Sequence, residues 1–237
     1  AGKRREDGGI SLYHWSPHWQ CFAKNENGCA EKAKEQITTD LMGYDVDFAF
    51  IIEMGSYDPP IGYAVQFGNC DSDMVAIIYK TDGWTPGKER PGCMDPNNRG
   101  FLVNSFTSSD SGIGDIVVSG AHFPHPHGTG DPRMKIIGEM IEEATASTKK
   151  IIFMADTNLE DPSEDIAQAI SIPDASIFSD VVPTCCWQHG QMGGARFDRI
   201  IASFGSSLDD FEVLHTDPVP DWAGDEMHAG LKATLRL

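Results

Sequence analysis

The sequence predicts one domain of the mixed α/β class. Short apolar runs alternate with polar stretches at helical spacing, as in chains that build sheets covered by helices. Several of the runs nevertheless follow one another with no helix between them, which indicates antiparallel as well as parallel pairing. The 237 residues carry no composition shift and no Pro/Ser-rich linker, so we expect a single domain over residues 1–237.

The apolar runs mark the predicted strands. A short run that is bounded by polar residues is typical of a strand buried on both faces. Such runs, together with one alternating stretch, predict strands at residues 10–13, 48–52, 74–79, 101–106, 116–121, 151–155, 197–203 and 231–237.

Helix signals fall between these runs. Residues 30–41 are polar with apolar positions at helical spacing, which predicts a surface helix. The Asp-Pro pairs at residues 131–132 and 161–162 are typical helix starts, because aspartate caps and proline suits the first helical position. Residues 182–194 show neither pattern, and we expect a loop there.

The stretch KKIIFMADTNLED, residues 149–161, organises the chain. Its apolar run stops at an acid and an amide, Asp156 and Asn158, just before a helix start. In open α/β sheets, ligands bind at the carboxyl ends of strands. These two side chains either hold a cation or orient a water there, or they only cap the turn.

Charge and hydropathy exclude several classes of protein. The formal net charge is −18, and the only basic cluster is at residues 3–5. Such a surface repels polyanions, which disfavours tight non-specific nucleic-acid binding but not hydrolysis by a site with a local cation. No apolar run approaches the roughly 20 residues that a membrane span needs.

The cysteine count indicates an oxidising compartment. None of the cysteines forms a CxxC motif, and their number is even, as in disulfide-bonded secreted proteins. Cys21 with Cys29 and Cys70 with Cys93 are the expected pairs. We therefore expect a secreted or otherwise extracytoplasmic protein. The alternative is a cytosolic protein with reduced thiols.

Residues of catalytic type recur at or beside the ends of the predicted strands. Each has a simpler explanation, such as a solvated strand end or a buried histidine with a partner. Their repetition along the chain is what favours a site. The residues in question are Ser16, Glu53, His122, Asp156, Asn158, Asp198 and His228.

The motifs around these residues resemble the endonuclease/exonuclease/phosphatase superfamily, deoxyribonuclease I-like branch. DFAFIIEMG is similar to the strand that delivers a metal-binding glutamate, which implies that role for Glu53. NNRGFLVNSF resembles the segment with a phosphate-contacting arginine, here Arg99. SGAHFP resembles the strand with the first catalytic histidine, here His122. The resemblance covers most of the chain.

The second half of the chain continues this resemblance. FMADTNLED is similar to the family's G-D-x-N element, with alanine in place of glycine, and implies site roles for Asp156 and Asn158. GARFDRIIAS is similar to the Y-D-R-I strand and implicates Asp198. DEMHAGLKATLRL resembles the terminal S-D-H-x-P-V element and makes His228 the second catalytic histidine. The resemblance implies a four-layer α/β sandwich, two mixed sheets face to face with helices outside.

The sequence departs from the family in two places that concern the metal and the second histidine. Ser16 stands where the family has asparagine, and Met227 stands where it has the acid before the histidine. A thioether binds hard cations poorly. A register shift would let Asp225 or Glu226 serve instead. Weakened metal binding, altered chemistry and loss of catalysis are the consequences to distinguish.

The resemblance implies phosphoester hydrolysis with a divalent cation. Glu53 and Asp156 are expected to hold Mg²⁺ or Mn²⁺, with Ca²⁺ as a further candidate. His228 is expected to activate water with help from Asp198, and His122 to protonate the leaving oxygen, or the reverse.

Arg99 and Asn158 are expected to contact the phosphate and steady its developing charge. A competing site for the first histidine would be a transition-metal cluster of His122, His125 and His127. Trp15, Trp19 and Trp84 either stack bases or pack in loops.

The function we expect is therefore a metal-dependent phosphodiester hydrolase, a secreted and monomeric nuclease acting on nucleic acid or another phosphoester. The alternatives are a phosphomonoesterase or phospholipid phosphodiesterase on the same scaffold, and a binding protein that has lost activity.

Overall fold

The structure is a computed structural model. It describes residues 8–25, 28–71, 73–95, 98–125, 128–145, 148–172, 174–188, 191–216 and 227–237. Among the helices of these residues, none combines the length and the apolar character that crossing a membrane requires.

Strands predominate over helices along the described chain. In order, the elements are β1 (Gly9–Trp15), α1 (Trp19–Lys24), α2 (Cys29–Gly43), β2 (Phe48–Ile52), β3 (Tyr63–Cys70), β4 (Asp73–Lys80), β5 (Trp84–Asp95), β6 (Asn98–Ser108), β7 (Asp115–His122), α3 (Met134–Ala144), β8 (Ile151–Asp156), α4 (Ser163–Ala169), β9 (Ile177–Phe178), β10 (Cys185–Gln188), β11 (Gln191–Ala195), β12 (Asp198–Ala202), β13 (Ser207–Leu214) and β14 (Gly230–Arg236).

The strands form two six-stranded mixed sheets and a small hairpin. One sheet has the order β13-β14-β1-β2-β4-β3 and the other the order β5-β6-β7-β8-β12-β9, while β10 pairs with β11. Each large sheet contains one parallel pair, β1 with β2 and β7 with β8. The remaining pairings in both sheets are antiparallel. The predicted fold class, with two mixed sheets, is confirmed.

The sheets pack face to face, and helices cover their outer faces. One apolar cluster joins inward residues of both sheets, such as Phe50 and Met154. A second joins the outer face of one sheet to α3 and α4. A third joins the outer face of the other sheet to α2 through Ile37. Because the central strands are buried on both faces, they read in the sequence as continuous apolar runs.

Several strands escape the sequence pattern. The edge strand β5 contains Pro86, Lys88 and Pro91, residues that blunt an edge and hide its strand character. The half-exposed strands β3 and β13 were also not predicted. The expected loop at residues 182–194 contains the β10–β11 hairpin.

The helix starts differ in detail from the prediction. Helix α4 begins after Pro162 without a side-chain cap, and Asp161 instead accepts a hydrogen bond from the Thr129 hydroxyl. Helix α3 begins after Arg133, whose backbone N–H donates to the Asp131 carboxylate at 2.9 Å.

Both expected disulfides are present. Cys21 bonds to Cys29 and ties α1 to the start of α2. Cys70 bonds to Cys93 and joins β3 of one sheet to β5 of the other. This second bridge links edge strands of the two sheets. The described structure also bonds Cys185 to Cys186.

We predict that Gly120→Ala destabilises the protein, because the neighbouring strand and the opposite sheet leave no room for a side chain at Gly120. A Cβ at Gly120 would lie 2.3 Å from the Met154 carbonyl oxygen and 2.5 Å from the Phe50 ring. Overpacking of this kind typically costs about 1–3 kcal/mol. The free energy of unfolding in urea measures the loss. Gly43→Ala is the control, since a Cβ there meets nothing within 4 Å. Equal stability of both variants would contradict the close approach.

Candidate active site

The candidate site lies at one rim of the paired sheets, where neighbouring strands end or begin. β7 and β8 run parallel and bring their last residues to this rim, and antiparallel β12 begins there. The register places His122 beside Asp156, and Asp156 beside Asp198. In the other sheet, β2 ends just before Glu53, and His228 shortly precedes β14.

Glu53, Asp73 and Arg99 surround His122. The His122 Nδ1 lies 3.8 Å from a Glu53 oxygen, and it donates to the Asp73 carboxylate, with contacts of 3.1 and 3.2 Å. The guanidinium of Arg99 contacts both ring nitrogens of His122 and lies 4.0 Å from Glu53. Glu53 itself holds a left-handed backbone with φ of 54°, a strained conformation that is often found at functional sites.

Asp156 lies between the two predicted catalytic histidines. Its Oδ2 is 3.4 Å from the His122 Nε2 and 3.8 Å from the His228 Nε2. Its Oδ1 accepts the backbone N–H of Asn158 at 2.9 Å, while the Asn158 amide donates to the Phe123 carbonyl. The turn-capping interpretation thus describes Oδ1. Oδ2 accepts a longer bond of 3.4 Å from the Asn158 amide, and it also faces the histidines.

His228 is oriented by a buried chain of hydrogen bonds. Its Nδ1 lies 2.8 Å from Asp198 Oδ2, and the second oxygen of Asp198 lies 2.8 Å from the His14 Nε2. The His14 Nδ1 in turn faces the Phe50 carbonyl at 2.9 Å. The chain crosses from one sheet to the other, so it also fixes the two sheets relative to each other at this rim.

Burial and charge act in opposite directions on these groups. Burial alone would lower the pKa of His228. Asp198 and Asp156 outweigh this effect and raise the pKa to about 9. Burial likewise lowers the pKa of His122, and Asp73 and Glu53 bring it above its ordinary value. Burial raises the pKa of Asp198, yet His228 and His14 hold it well below its usual range. In the absence of a bound cation, the carboxylates favour the protonated form of both histidines.

Sequence reasoning did not identify two residues that orient the histidines, Asp73 and His14. Asp73 lies at the start of an antiparallel strand at this rim, whereas the predicted site residues lie at or beside the ends of apolar runs. His14 lies inside β1 and reaches the site only through its pairing with β2. The sequence around His14 carries no signal of its pairing with a remote acid. For Asp73 there was a signal that could have been used, namely an acid immediately before an apolar run.

The serine in place of the family's asparagine is a buried neighbour of Glu53. The Ser16 hydroxyl donates to Glu53 Oε2 at 3.5 Å. This position therefore still contacts the carboxylate that is expected to bind metal, but through a shorter side chain.

Met227 takes no part in the site. Its side chain is fully buried in the apolar cluster that also holds Trp15 and Trp187, and its carbonyl accepts the Trp187 N–H. The expectation that an acid at this position would act on the site does not fit this burial. Asp225 and Glu226 lie outside the described residues.

The competing interpretations find little support. His125 is exposed and lies edge-on to Phe197. Among the described residues, it does not belong to any cluster of three or more ligand side chains that could share a metal ion. His127 lies outside the described residues. Trp15 and Trp84 are buried, so they pack rather than stack bases, and the side chain of Trp19 is outside the description.

The donor chemistry of the site fits a hard divalent cation. Ligand atoms of Glu53, Asp73 and His122 lie within 4.8 Å of one another, and Asp156 adds a carboxylate oxygen on the far side of His122. Oxygen-rich sets of this kind suit Mg²⁺ and Mn²⁺. A cation would offset several buried negative charges at once.

Comparisons with known proteins bear on the fold. No family description and no curated protein matches the chain. An endonuclease/exonuclease/phosphatase family protein from Bacteroides thetaiotaomicron superposes with a TM-score of 0.69 at 13% identity, covering 96% of this chain and 94% of its own. The chain has the endonuclease/exonuclease/phosphatase fold.

Two further solved structures share this endonuclease/exonuclease/phosphatase fold. D. rerio TDP2, complexed with single-strand DNA product, gives a TM-score of 0.71 at 16% identity and covers 98% of this chain and 100% of its own. A mannosyl-6-phosphatase of Bacteroides thetaiotaomicron gives 0.67 at 12% identity and covers 96% and 100%.

We predict that Asp198→Asn lowers the pKa of His228 from about 9 toward or below its ordinary value. The raised pKa means that the protonated pair stabilises the folded state below the unfolded pKa of about 6.5. This stabilisation is lost as the pH rises through about 9. NMR titration of the metal-free protein measures the pKa, and Asp82→Asn, at an exposed position, is the control. An unchanged His228 pKa in Asp198→Asn would contradict the pairing.

We predict that Met227→Asp destabilises the protein by several kcal/mol, because it places a carboxylate in an apolar cluster without a partner. Met227→Leu keeps the volume and is expected to cost less than about 1.5 kcal/mol. Urea unfolding of both variants measures the difference. A Met227→Asp variant as stable as the wild type, with tighter Mn²⁺ binding, would show instead that this side chain reaches the site.

Proposed function

We propose that the protein is a metal-dependent phosphodiester hydrolase, and specifically a nuclease. The observation that carries the proposal is the placement of Asp156 between His122 and His228, with Glu53 beside the first histidine. Hydrolysis of a phosphodiester needs two positioned proton-transfer groups and positive charge on the phosphoryl oxygens. This rim offers residues for each task.

The two histidines would carry the protons. His228 is held by Asp198 through Nδ1, so its Nε2 is the atom that would take a proton from the attacking water. His122 is held by Asp73 in the same way, and it would give a proton to the leaving oxygen. The near-symmetry of the two arrangements also permits the reverse assignment.

Glu53 and Asp156 would hold the cation, Mg²⁺ or Mn²⁺, with Ca²⁺ as a further candidate. When bound, the ion supplies charge neutralisation on the phosphoryl oxygens. The raised pKa of His228, about 9 without a cation, keeps the imidazole protonated at neutral pH. Hydrolysis is therefore expected to depend on added metal.

Arg99 and Asn158 would contact the phosphate. Arg99 lies against His122 with its side chain partly exposed, so its guanidinium borders both the histidine and solvent. The Asn158 amide is fixed by its bond to the Phe123 carbonyl. A fixed guanidinium and a fixed amide stabilise developing charge without reorganising during the reaction.

Nucleic acid is the substrate that we propose first. TDP2, which has the same fold, is complexed with single-strand DNA product. The net charge of −18 opposes long-range attraction of a polyanion, so we expect activity to depend on the site rather than on tight non-specific binding.

Phosphomonoesters are the second candidate substrate, because a mannosyl-6-phosphatase has the same fold. A phospholipid phosphodiesterase and a binding protein without activity are the remaining alternatives.

We further propose that residues 1–237 act as one monomeric, extracytoplasmic domain. The disulfides that link α1 to α2 and β3 to β5 support an oxidising compartment. Size-exclusion chromatography with light scattering tests the monomer.

Activity assays with matched variants test the proposed function. The purified protein is incubated with plasmid DNA, RNA, a generic phosphodiester and a phosphomonoester, each with Mg²⁺, Mn²⁺, Ca²⁺ or EDTA. We expect metal-stimulated cleavage of a nucleic acid and none with EDTA. His228→Ala and Glu53→Gln are each expected to lower kcat by about two to four orders of magnitude. His125→Ala is the control. It changes an exposed histidine shortly after the end of β7, and it is expected to keep most of the activity.

The outcomes separate the alternatives. Cleavage confined to the phosphomonoester would favour the phosphatase. No metal-stimulated hydrolysis of any substrate would favour the binding protein. Full activity in His228→Ala would overturn the mechanism, whatever the substrate.

A further inference from the structure

The Cys185–Cys186 pair lies directly beside the proposed catalytic histidine. β10 begins at Cys185 and runs along the segment that precedes β14. Backbone bonds from Trp187 N–H to the Met227 carbonyl and from Ala229 N–H to the Thr184 carbonyl hold the two segments together.

This pairing sets Cys186 opposite His228. Its Sγ lies 3.7 Å from the His228 Nε2. The assignment of His228 as a proton-transfer group makes no use of these sulfurs.

The hydrogen bond to Asp198 decides which nitrogen of His228 faces the sulfurs. Because Nδ1 bonds to the Asp198 carboxylate, Nε2 is the nitrogen that remains for another partner. A carboxylate behind a histidine is the arrangement that orients metal-binding imidazoles and raises their basicity. His228 is therefore preorganised as a metal ligand through Nε2.

The three residues bring two sulfurs and one imidazole nitrogen together, and reduction of the disulfide would free both sulfurs for a soft divalent metal. One ligand atom from each of Cys185, Cys186 and His228 lies within 4.8 Å of the others. In a tetrahedral zinc site, sulfur and nitrogen ligands are about 3.6 Å apart, given metal–ligand distances of about 2.3 and 2.0 Å. The observed 3.7 Å between Cys186 Sγ and His228 Nε2 matches this spacing. Two thiolates and an imidazole suit Zn²⁺ or Cd²⁺ rather than Mg²⁺.

We propose that the reduced protein binds Zn²⁺ or Cd²⁺ through Cys185, Cys186 and the Nε2 of His228, and that this ion inhibits the hydrolase. The inhibition rests on the proposed function, because the bound ion would occupy the His228 nitrogen that is proposed to accept a proton from water. The metal site itself stands without it. The site differs from the oxygen-rich set at Glu53 and Asp156, which would hold the hard cation.

The redox step that opens the site is balanced. A dithiol transfers two electrons and two protons to the Cys185–Cys186 disulfide, which gives two thiols and the oxidised, cyclic dithiol. A trialkylphosphine with one water does the same and leaves as the phosphine oxide. The divalent ion then displaces both thiol protons and the proton on the His228 Nε2. The disulfide form has no thiolate to offer and leaves Nε2 available.

X-ray absorption at the metal edge tests the site directly. Wild-type protein is reduced with a trialkylphosphine, loaded with one equivalent of Zn²⁺ or Cd²⁺, and compared with the unreduced protein. We expect two sulfur neighbours and one imidazole neighbour in the reduced protein only. Cys185→Ser/Cys186→Ser is expected to lose the sulfur neighbours. The control Cys21→Ser/Cys29→Ser removes a different disulfide and is expected to keep them.

Hydrolysis of a generic phosphodiester with Mg²⁺ gives the second readout. In reduced wild type, Zn²⁺ or Cd²⁺ is expected to lower the rate at least about tenfold by occupying the base. The Cys185→Ser/Cys186→Ser variant is expected to resist. Sulfur-free coordination in reduced wild type would overturn the proposal, even if a variant fails to fold. Sulfur coordination that persists in Cys185→Ser/Cys186→Ser would also overturn it. Sulfur and imidazole coordination without any hydrolytic activity would support the metal site and reject the proposed function.

Discussion

The position of the Asp156 carboxylate is the constraint on which the rest of the site depends. It ends β8, and the register of three neighbouring strands places it between His122 and Asp198. A slip by one residue would turn each of these side chains to the opposite face of the sheet. Packing on both faces opposes that slip, because alternate residues of these strands belong to two different apolar clusters. Packing of the sheets therefore determines the geometry of the proposed chemistry.

Electrostatics explains why this arrangement calls for a cation. Glu53, Asp73, Asp156 and Asp198 concentrate negative charge at a largely buried rim. These carboxylates raise the pKa values of His122 and His228, and Arg99 balances a further part of their charge. Burying carboxylates is costly unless they are paired or coordinate a metal. The buried carboxylates thus favour protonated histidines and would attract the ion that the proposed reaction needs.

Much of the fold could be predicted from the sequence because its central strands are buried on both faces. Runs such as residues 48–52 and 151–155 coincide closely with β2 and β8. Edge strands could not be predicted in the same way. β5 carries prolines and charges, and its pairing with β6 is specified by the partner strand rather than by its own pattern.

The candidate site follows the same division. Residues at the ends of apolar runs, such as Glu53 and His122, were recognisable from their position. Asp73 and His14 were not, because their roles come from pairing between strands that are distant in sequence. Met227 was predicted as a departure from the motif, and the structure adds what the motif could not show: its side chain packs in an apolar cluster.

The most direct test of this account is a crystal structure of the oxidised protein with Mn²⁺ and a phosphate or nucleotide product, with the ion located by anomalous scattering. We expect manganese bound to carboxylate oxygens of Glu53 and Asp156. A phosphate oxygen would complete its ligands within reach of His122 and His228. Manganese bound elsewhere, while the carboxylates of this rim contact only Arg99 and the histidines, would contradict the proposed metal site.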